Sequence, residues 1–126
     1  MRIRVKRLDP AIELPAYHSA DAVAFDFTAR QRITVAPGAV ELVPTGLVLQ
    51  IPEGHEGQVR PRSGIALRHG VTVLNSPGTI DADYRGELMV TLYCLPDAAP
   101  FEVRDGDRIA QLVVSRLVPV AWREVE

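Results

Sequence analysis

The sequence has few of the residues that cross-link a protein or build a metal centre. Cys94 is the only cysteine among 126 residues, which excludes an intrachain disulfide framework and a cysteine-rich zinc site. It lies in the apolar run Leu88–Leu95, and we expect it in the core, because free cysteines are usually buried. Aromatic residues are scarce as well, with one Trp, three Tyr and three Phe, so Val, Leu, Ile and Ala must supply most of the core.

The chain also lacks features that would suit nucleic acid or a membrane. Its net charge is −2 and its pI about 5.9, which offers no basic field to nucleic acid. No apolar run approaches the ~18 residues of a transmembrane helix. The N-terminus alternates basic and apolar residues instead of resembling a signal peptide. We therefore expect a cytoplasmic enzyme or binding protein, built as a single domain over residues 1–126.

The dominant pattern in the sequence is an alternation of apolar and polar residues with period two, which is typical of strands. Nine glycines and ten prolines divide these runs and favour an all-β fold such as a sandwich, jelly roll or barrel. The predicted strands are Arg2–Lys6, Val23–Thr28, Ile33–Val35, Val40–Val43, Gly46–Ile51, Gly57–Pro61, Val71–Leu74, Glu87–Leu95, Phe101–Val103, Arg108–Val114 and Val118–Trp122. One short helix is predicted at Ser63–Arg68, capped by Ser63 and ended by Gly70. An all-β chain of this size has a modest core, so we also expect an apolar interface between copies.

The first polar segment is Arg60–Ala66, where the predicted helix begins. An arginine, a serine and the free N–H groups of a helix start together favour an anion site, best suited to phosphate. An ordinary serine-capped turn with a solvated arginine is the alternative. A nucleophilic role for Ser63 has no support, because no base is evident near it.

The second polar segment is Leu74–Leu88, which contains two turn signals. If the stretch between them is extended, Asp81 and Asp83 share a face. Main-chain groups of such a hairpin can read the edge of a planar base, Tyr84 can pack on a sugar, and a carboxylate near a phosphate can take a proton from water. The alternative is a polar hairpin with solvated aspartates.

The third polar segment is Phe101–Leu112. A turn at Asp105–Gly106 precedes a strand that we expect to carry Ile109 and Gln111 on one face, and Arg108 and Ala110 on the other. Gln111 lies on an otherwise apolar strand and needs a hydrogen-bond partner, which a neighbouring loop could provide. The three histidines are expected at the surface, at positions His18, His55 and His69.

Taken together and in this order, the segments resemble the homotrimeric dUTP pyrophosphatase (dUTPase) family. Four of the five family motifs match, at Ala24–Ala29, Pro61–Ala66, Asn75–Leu88 and Gly106–Gln111, and the resemblance covers essentially the whole chain. It implies a distorted jelly-roll β-barrel whose three copies share their active sites. It also implies Mg²⁺-dependent hydrolysis of dUTP to dUMP and pyrophosphate, which limits uracil in DNA and supplies dUMP for dTMP synthesis.

The resemblance also implies a role for each matching residue. Asp81 would be the general base for the attacking water, and Asp26 would hold Mg²⁺ indirectly, through its water shell. Tyr84 would stack under the deoxyribose, and Gln111 would contact the phosphates or support a loop. The remaining substrate-binding residues would be Arg62, Ser63 and Gly64 at the phosphates, and Asn75, Gly78, Thr79 and Ile80 at the uracil. Outside this set, Asp83, Arg85 and Arg108 are expected to support structure or the trimer interface.

Two departures from the family pattern leave alternatives open. Ala24 replaces a usual glycine in the first motif. The chain stops at Val120–Glu126, about where the family's fifth motif, a glycine-rich C-terminal arm, would begin, and we expect the arm to be missing. A binding or regulatory module for dUTP or dUMP with weak hydrolysis is therefore a second hypothesis. A dCTP deaminase, which has the same fold, is a third.

Overall fold

A computed structural model describes residues 1–126 as eleven strands and one short helix. All strand pairings are antiparallel. The strands are β1 (Arg4–Arg7), β2 (Phe25–Thr28), β3 (Ile33–Val35), β4 (Val40–Pro44), β5 (Leu47–Gln50), β6 (His55–Arg60), β7 (Val71–Val73), β8 (Gly78–Ile80), β9 (Met89–Cys94), β10 (Phe101–Val103) and β11 (Arg108–Arg116), and the helix is α1 (Ser63–His69). This confirms the all-β prediction with one short helix, and no helix has the length and apolarity needed to cross a membrane.

The strands form four small sheets around a common core. The largest has the order β2-β11-β6-β8, the second β4-β9-β7, and the pairs β1-β5 and β10-β3 complete the barrel. Long β11 pairs with β2 on one side and β6 on the other. Because β8 pairs only with β6, it forms the free edge of the largest sheet.

The core is aliphatic, as the scarcity of aromatic residues predicts. Twenty buried apolar side chains form one cluster, in which Phe27 is the only aromatic residue. Cys94 is fully buried within it, and its thiol donates to the carbonyl of Ala99 (3.4 Å). Free cysteine behaves here as a small apolar side chain.

The structure corrects three local predictions. Residues Val118–Trp122 form no strand, because this alternating run has no partner strand within the chain. Strand β8 was not foreseen, because Pro77–Gly78 indicated a turn and only two residues follow before Asp81. Helix α1 begins at Ser63, but its N-cap is Arg62 and no side chain caps it. Its end at Gly70, which is left-handed with φ 64°, is as expected.

Candidate functional site

The site residues predicted from the sequence lie in two pockets that share no lining residue. The first, here called the β8 pocket, has a volume of about 180 Å³ and is lined by Val59, Val73, Asn75, Gly78, Thr79, Ile80, Asp81, Tyr84, Leu88, Met89, Val90 and Thr91. The second, here called the arginine pocket, has about 290 Å³ and is lined by His18, Ala22, Ala24, Asp26, Arg62, Ser63, Gly64, Arg108 and Gln111.

The β8 pocket presents main-chain polar groups from an edge strand. Residues 78–80 use one side of their backbone to pair with β6. The backbone groups on the other side have no main-chain partner in the chain, which is the usual condition of an edge strand. A Cβ added at Gly78 would lie 3.3 Å from the Asn75 amide nitrogen and 3.4 Å from Cβ of Val59, so glycine allows Asn75 to approach this edge. Such a wall can recognise a planar ring edge by hydrogen bonds.

Asp81 and Tyr84 lie at the mouth of the β8 pocket. Asp81 directly follows β8, is exposed, and its carboxylate forms no hydrogen bond or ion pair in the chain. The N–H of Tyr84 donates to the carbonyl of Asp81 (3.1 Å). This turn ends the extended stretch, so the condition under which Asp81 and Asp83 would share a strand face is not met. A free carboxylate beside an aromatic ring suits proton abstraction next to a bound sugar.

Cationic groups surround one carboxylate in the arginine pocket. Nε of Arg62 donates to Oδ1 of Asp26 (3.0 Å). Nε2 of His18 lies 2.7 Å from Oδ2, and Nη1 of Arg108 lies 3.8 Å from the same oxygen. The Asp26 side chain is only 14% exposed. Two guanidinium groups against one carboxylate leave a positive charge, which suits phosphate.

A β-bulge brings Arg108 into this pocket. Arg108 pairs with Thr28 and Ala110 with Phe27, so Ile109 is an extra residue on β11. The extra residue reverses the alternation, and Arg108 and Gln111 line the same pocket. The prediction that Arg108 and Gln111 point to opposite faces was therefore wrong. Nε2 of Gln111 donates to the carbonyl of Pro61 (2.9 Å) and supports the loop that carries Arg62.

The donor set at Asp26 does not form a complete metal cage. Asp26 is the only carboxylate lining the arginine pocket, and no group of three or more His, Cys, Asp or Glu residues lies together anywhere in the chain. A single carboxylate fits a magnesium ion that takes its direct ligands from a bound polyphosphate and keeps several waters. It does not fit a zinc centre, which needs three or four protein ligands.

Within one chain, Asp81 of the β8 pocket and Arg62 of the arginine pocket lie at different points along the direction of β6. Extending the β6–β8 pairing by one residue sets Asp81 beside Glu56. Arg62 lies six residues beyond Glu56. If the chain stayed extended as far as Arg62, the rise per residue of a strand would set the two backbones about 20 Å apart.

No pattern in the sequence indicated that His18 lies beside Asp26. It lies eight residues before Asp26 in a segment without regular structure, and only the fold brings the two side chains together. His18 and His69 are exposed as expected, whereas His55 is half-buried. Arg108 could have been found only by recognising the bulge.

A family model and several curated proteins that match the chain all indicate the same family. The dUTPase family model matches residues 11–126. The deoxyuridine 5'-triphosphate nucleotidohydrolase of Wolinella succinogenes is 52% identical over 126 residues, which are 100% of this chain and 84% of that protein. The protein of the same name from Anaeromyxobacter sp. is 54% identical over 123 residues (98% and 83%), and that from Beijerinckia indica is 55% identical over 123 residues (93% and 76%).

Solved structures show the same fold at lower sequence identity. A variant dUTPase from phage phi11 of S. aureus has a TM-score of 0.90 and 21% identity, covering 100% of this chain and 97% of that one. The Staphylococcus bacteriophage 80alpha dUTPase with dUpNHpp has a TM-score of 0.87 and 22% identity, covering 99% and 88%. The jelly-roll-like fold expected from the sequence is thereby confirmed.

Proposed function

The chain belongs to the dUTPase family, and on that premise we propose that it hydrolyses dUTP to dUMP and pyrophosphate. The observation that carries the proposal is its 52–55% identity, over nearly its full length, to proteins named for this activity. The two pockets add chemical support, because one presents an edge strand and a free carboxylate and the other a cationic cluster. The reaction keeps uracil out of DNA and supplies dUMP for dTMP synthesis.

Uracil recognition is assigned to the β8 pocket. The backbone groups within Gly78–Ile80 that do not pair with β6, together with the amide of Asn75, would pair with the uracil edge. Cytosine would leave buried polar groups unpaired, and such mismatches can discriminate by ~10⁴. A tight wall would also reject the 5-methyl group of thymine. The ring of Tyr84 would lie under the deoxyribose and leave no room for a 2'-hydroxyl.

Phosphate binding is assigned to the arginine pocket. Arg62 bonds Asp26 through Nε, so both of its Nη groups remain available for phosphate oxygens. Ser63 and Gly64 follow at the start of α1 and would contact the same oxygens. Gln111 holds the Pro61 carbonyl and so keeps this loop in place.

Asp81 is the proposed general base. Its carboxylate would accept a proton from a water whose oxygen forms a new bond to the α-phosphorus. The bond from that phosphorus to the bridging oxygen breaks, and pyrophosphate leaves with the electron pair. Asp26 would hold a magnesium ion through its water shell, and that ion would neutralise charge on the triphosphate oxygens.

The active site is proposed to be shared between copies in a homotrimer. The separation along β6 between Asp81 and Arg62 within one chain, about 20 Å for an extended chain, supports this arrangement. A three-fold ring brings the β8 pocket of one copy against the arginine pocket of the next through closed heterologous contacts.

A nucleotide panel tests the function. Pyrophosphate release is measured with Mg²⁺ from dUTP, dCTP, dTTP and UTP, for the unchanged chain and for Asp81→Asn. We expect release from dUTP alone at an appreciable rate, and loss of hydrolysis in Asp81→Asn with binding of dUpNHpp retained. Equal turnover of all four nucleotides, or ammonia release from dCTP, would contradict the proposal. Normal turnover by Asp81→Asn would remove Asp81 as the base.

A further inference from the structure

Tyr84 is fixed at its hydroxyl end by the backbone of Glu87. The Tyr84 O–H donates to the main-chain carbonyl of Glu87 (2.9 Å). Gly86 lies against the ring, and a Cβ there would come within 2.7 Å of Cζ of Tyr84. The residue is 44% exposed, so the ring is only partly packed and this hydrogen bond helps to set its position. The position of the ring therefore depends on where residues 86 and 87 are held.

The Glu87 side chain is anchored from outside the β8 pocket. Nε of Arg30 lies 2.7 Å from Oε1 of Glu87, and Nη2 of Arg30 donates to Oε2 (3.1 Å). The N–H of Gly46 also donates to Oε1 (3.0 Å). The Glu87 side chain is 18% exposed, so this two-point ion pair is partly shielded from solvent.

The next residue is anchored to the same neighbourhood. The Thr45 hydroxyl donates to the carbonyl of Leu88 (2.8 Å), and the N–H of Leu88 donates to the carbonyl of Leu47 (2.8 Å). Residues 87 and 88 are thus held to the turn between β4 and β5. By contrast, residues 83–85 are exposed, and Arg85 bonds only carbonyls of its own turn.

We propose that the Arg30–Glu87 pair is a positioning device that sets sugar selectivity through Tyr84. This rests on the proposed function, which puts the deoxyribose on the Tyr84 ring. Neither Arg30 nor Glu87 lines the β8 pocket, so they act through Tyr84 and not on the substrate. When the pair is broken, the Glu87 side chain loses its two contacts with Arg30 and keeps only the N–H of Gly46. The carbonyl that holds the ring is then less firmly placed, and the space closed to a 2'-hydroxyl widens.

The test measures kcat/KM for dUTP and for UTP in Arg30→Gln, Glu87→Gln and the double variant. We expect the ratio of kcat/KM for dUTP to kcat/KM for UTP to fall about tenfold in each variant. The double variant should show the same fall as either single variant, because all three break the same ion pair. Tyr84→Phe, which removes the hydrogen bond from the other end, should lower the ratio in the same direction. Arg30→Lys, which keeps the charge, should recover part of it.

Glu102→Gln is the matched control. The Glu102 carboxylate also forms an ion pair, with Arg32 (3.7 Å), and accepts from the Thr34 hydroxyl (2.7 Å), but Glu102 lines neither pocket. The dUTP-to-UTP ratio of kcat/KM in Glu102→Gln should equal that of the unchanged chain. Folding of each variant is checked by its urea midpoint. An unaltered dUTP-to-UTP ratio of kcat/KM in the folded Arg30 and Glu87 variants would overturn the proposal. If Glu87→Gln does not fold, the ratios of Tyr84→Phe and Arg30→Lys decide the question. A chain that fails to hydrolyse dUTP, or does not prefer it to UTP, would instead overturn the proposed function.

Discussion

Asp26, two arginines and His18 form a cluster in which each group limits the freedom of the others. The carboxylate accepts from Arg62 on one oxygen and lies against His18 and Arg108 on the other. Because Arg62 bonds Asp26 through Nε, its Nη groups keep their donors for other acceptors. A guanidinium fixed in this way loses less side-chain entropy when it binds phosphate than a free one would.

Arg108 is expected to contribute to phosphate binding, although the sequence pointed to a supporting role. Arg108→Gln should lower kcat/KM for dUTP roughly tenfold, as expected for the loss of one charge-assisted contact. Binding of dUMP, which has fewer phosphates, should weaken less. The measurement is steady-state pyrophosphate release together with dUMP titration. Arg32→Gln, the same change at a residue outside both pockets, should have no effect, and an equal loss in both variants would argue against a local role.

For individual residues, the sequence predicted candidates that lie in motifs. It did not predict contacts between residues that are far apart in the chain. Arg62, Ser63 and Gln111 could be predicted because they are grouped in polar segments. His18 could not, because its contact with Asp26 depends on the path of a segment without regular structure. The Arg30–Glu87 pair joins residues 57 positions apart, a distance at which alternation along the chain carries no information.

Strand β11 links the core to the site. Its Leu112 is fully buried and its Gln111 supports the Arg62 loop. It also pairs with β2 and β6, the strands that carry Asp26 and lead to Arg62. A defect in the packing of β11 therefore affects both stability and the arginine pocket.

Leu112→Ala should reduce the free energy of unfolding by about 2–5 kcal/mol, because it leaves a cavity in a fully packed core. Leu67→Ala, the same change at a side chain that is 88% exposed in the single chain, should cost far less. Urea unfolding at equal protein concentration measures both. Similar losses in the two variants would mean that Leu67 is covered by another copy.

Strand prediction succeeded where alternation coincides with a partner strand and failed where it does not. Ile33–Val35 and Phe101–Val103 have the predicted bounds and pair with each other. Val118–Trp122 has the same kind of pattern but pairs with nothing in the chain. The short β8 has too few residues to show alternation, and its identity as a strand depends on β6.

For the whole molecule, the separation of the two pockets predicts complementation between defective chains. Asp81→Asn and Arg62→Ala should each be inactive alone. When the two are refolded together, about a quarter of the sites should combine an intact Asp81 with an intact Arg62 if subunits mix at random. Pyrophosphate release before and after mixing measures this.

The control for complementation replaces Arg62→Ala by a chain with both substitutions. This mixture contains no intact Asp81, so it should stay inactive. Absence of recovery in the first mixture, with mixed trimers present, would mean that both pockets of one active site belong to the same chain.

The bulge at Ile109 also determines which changes in chain length the protein can accept. Deleting one residue between Arg108 and Gln111 would restore simple alternation and turn Arg108 out of its pocket. Adding one residue would change which face of β11 carries the core residues Ala110 and Leu112. At Gly54, in an exposed turn where an added Cβ meets nothing within 4 Å, an insertion changes no register. Length variation is therefore restricted most at this bulge, where a gain or loss of one residue changes which side chains line the arginine pocket.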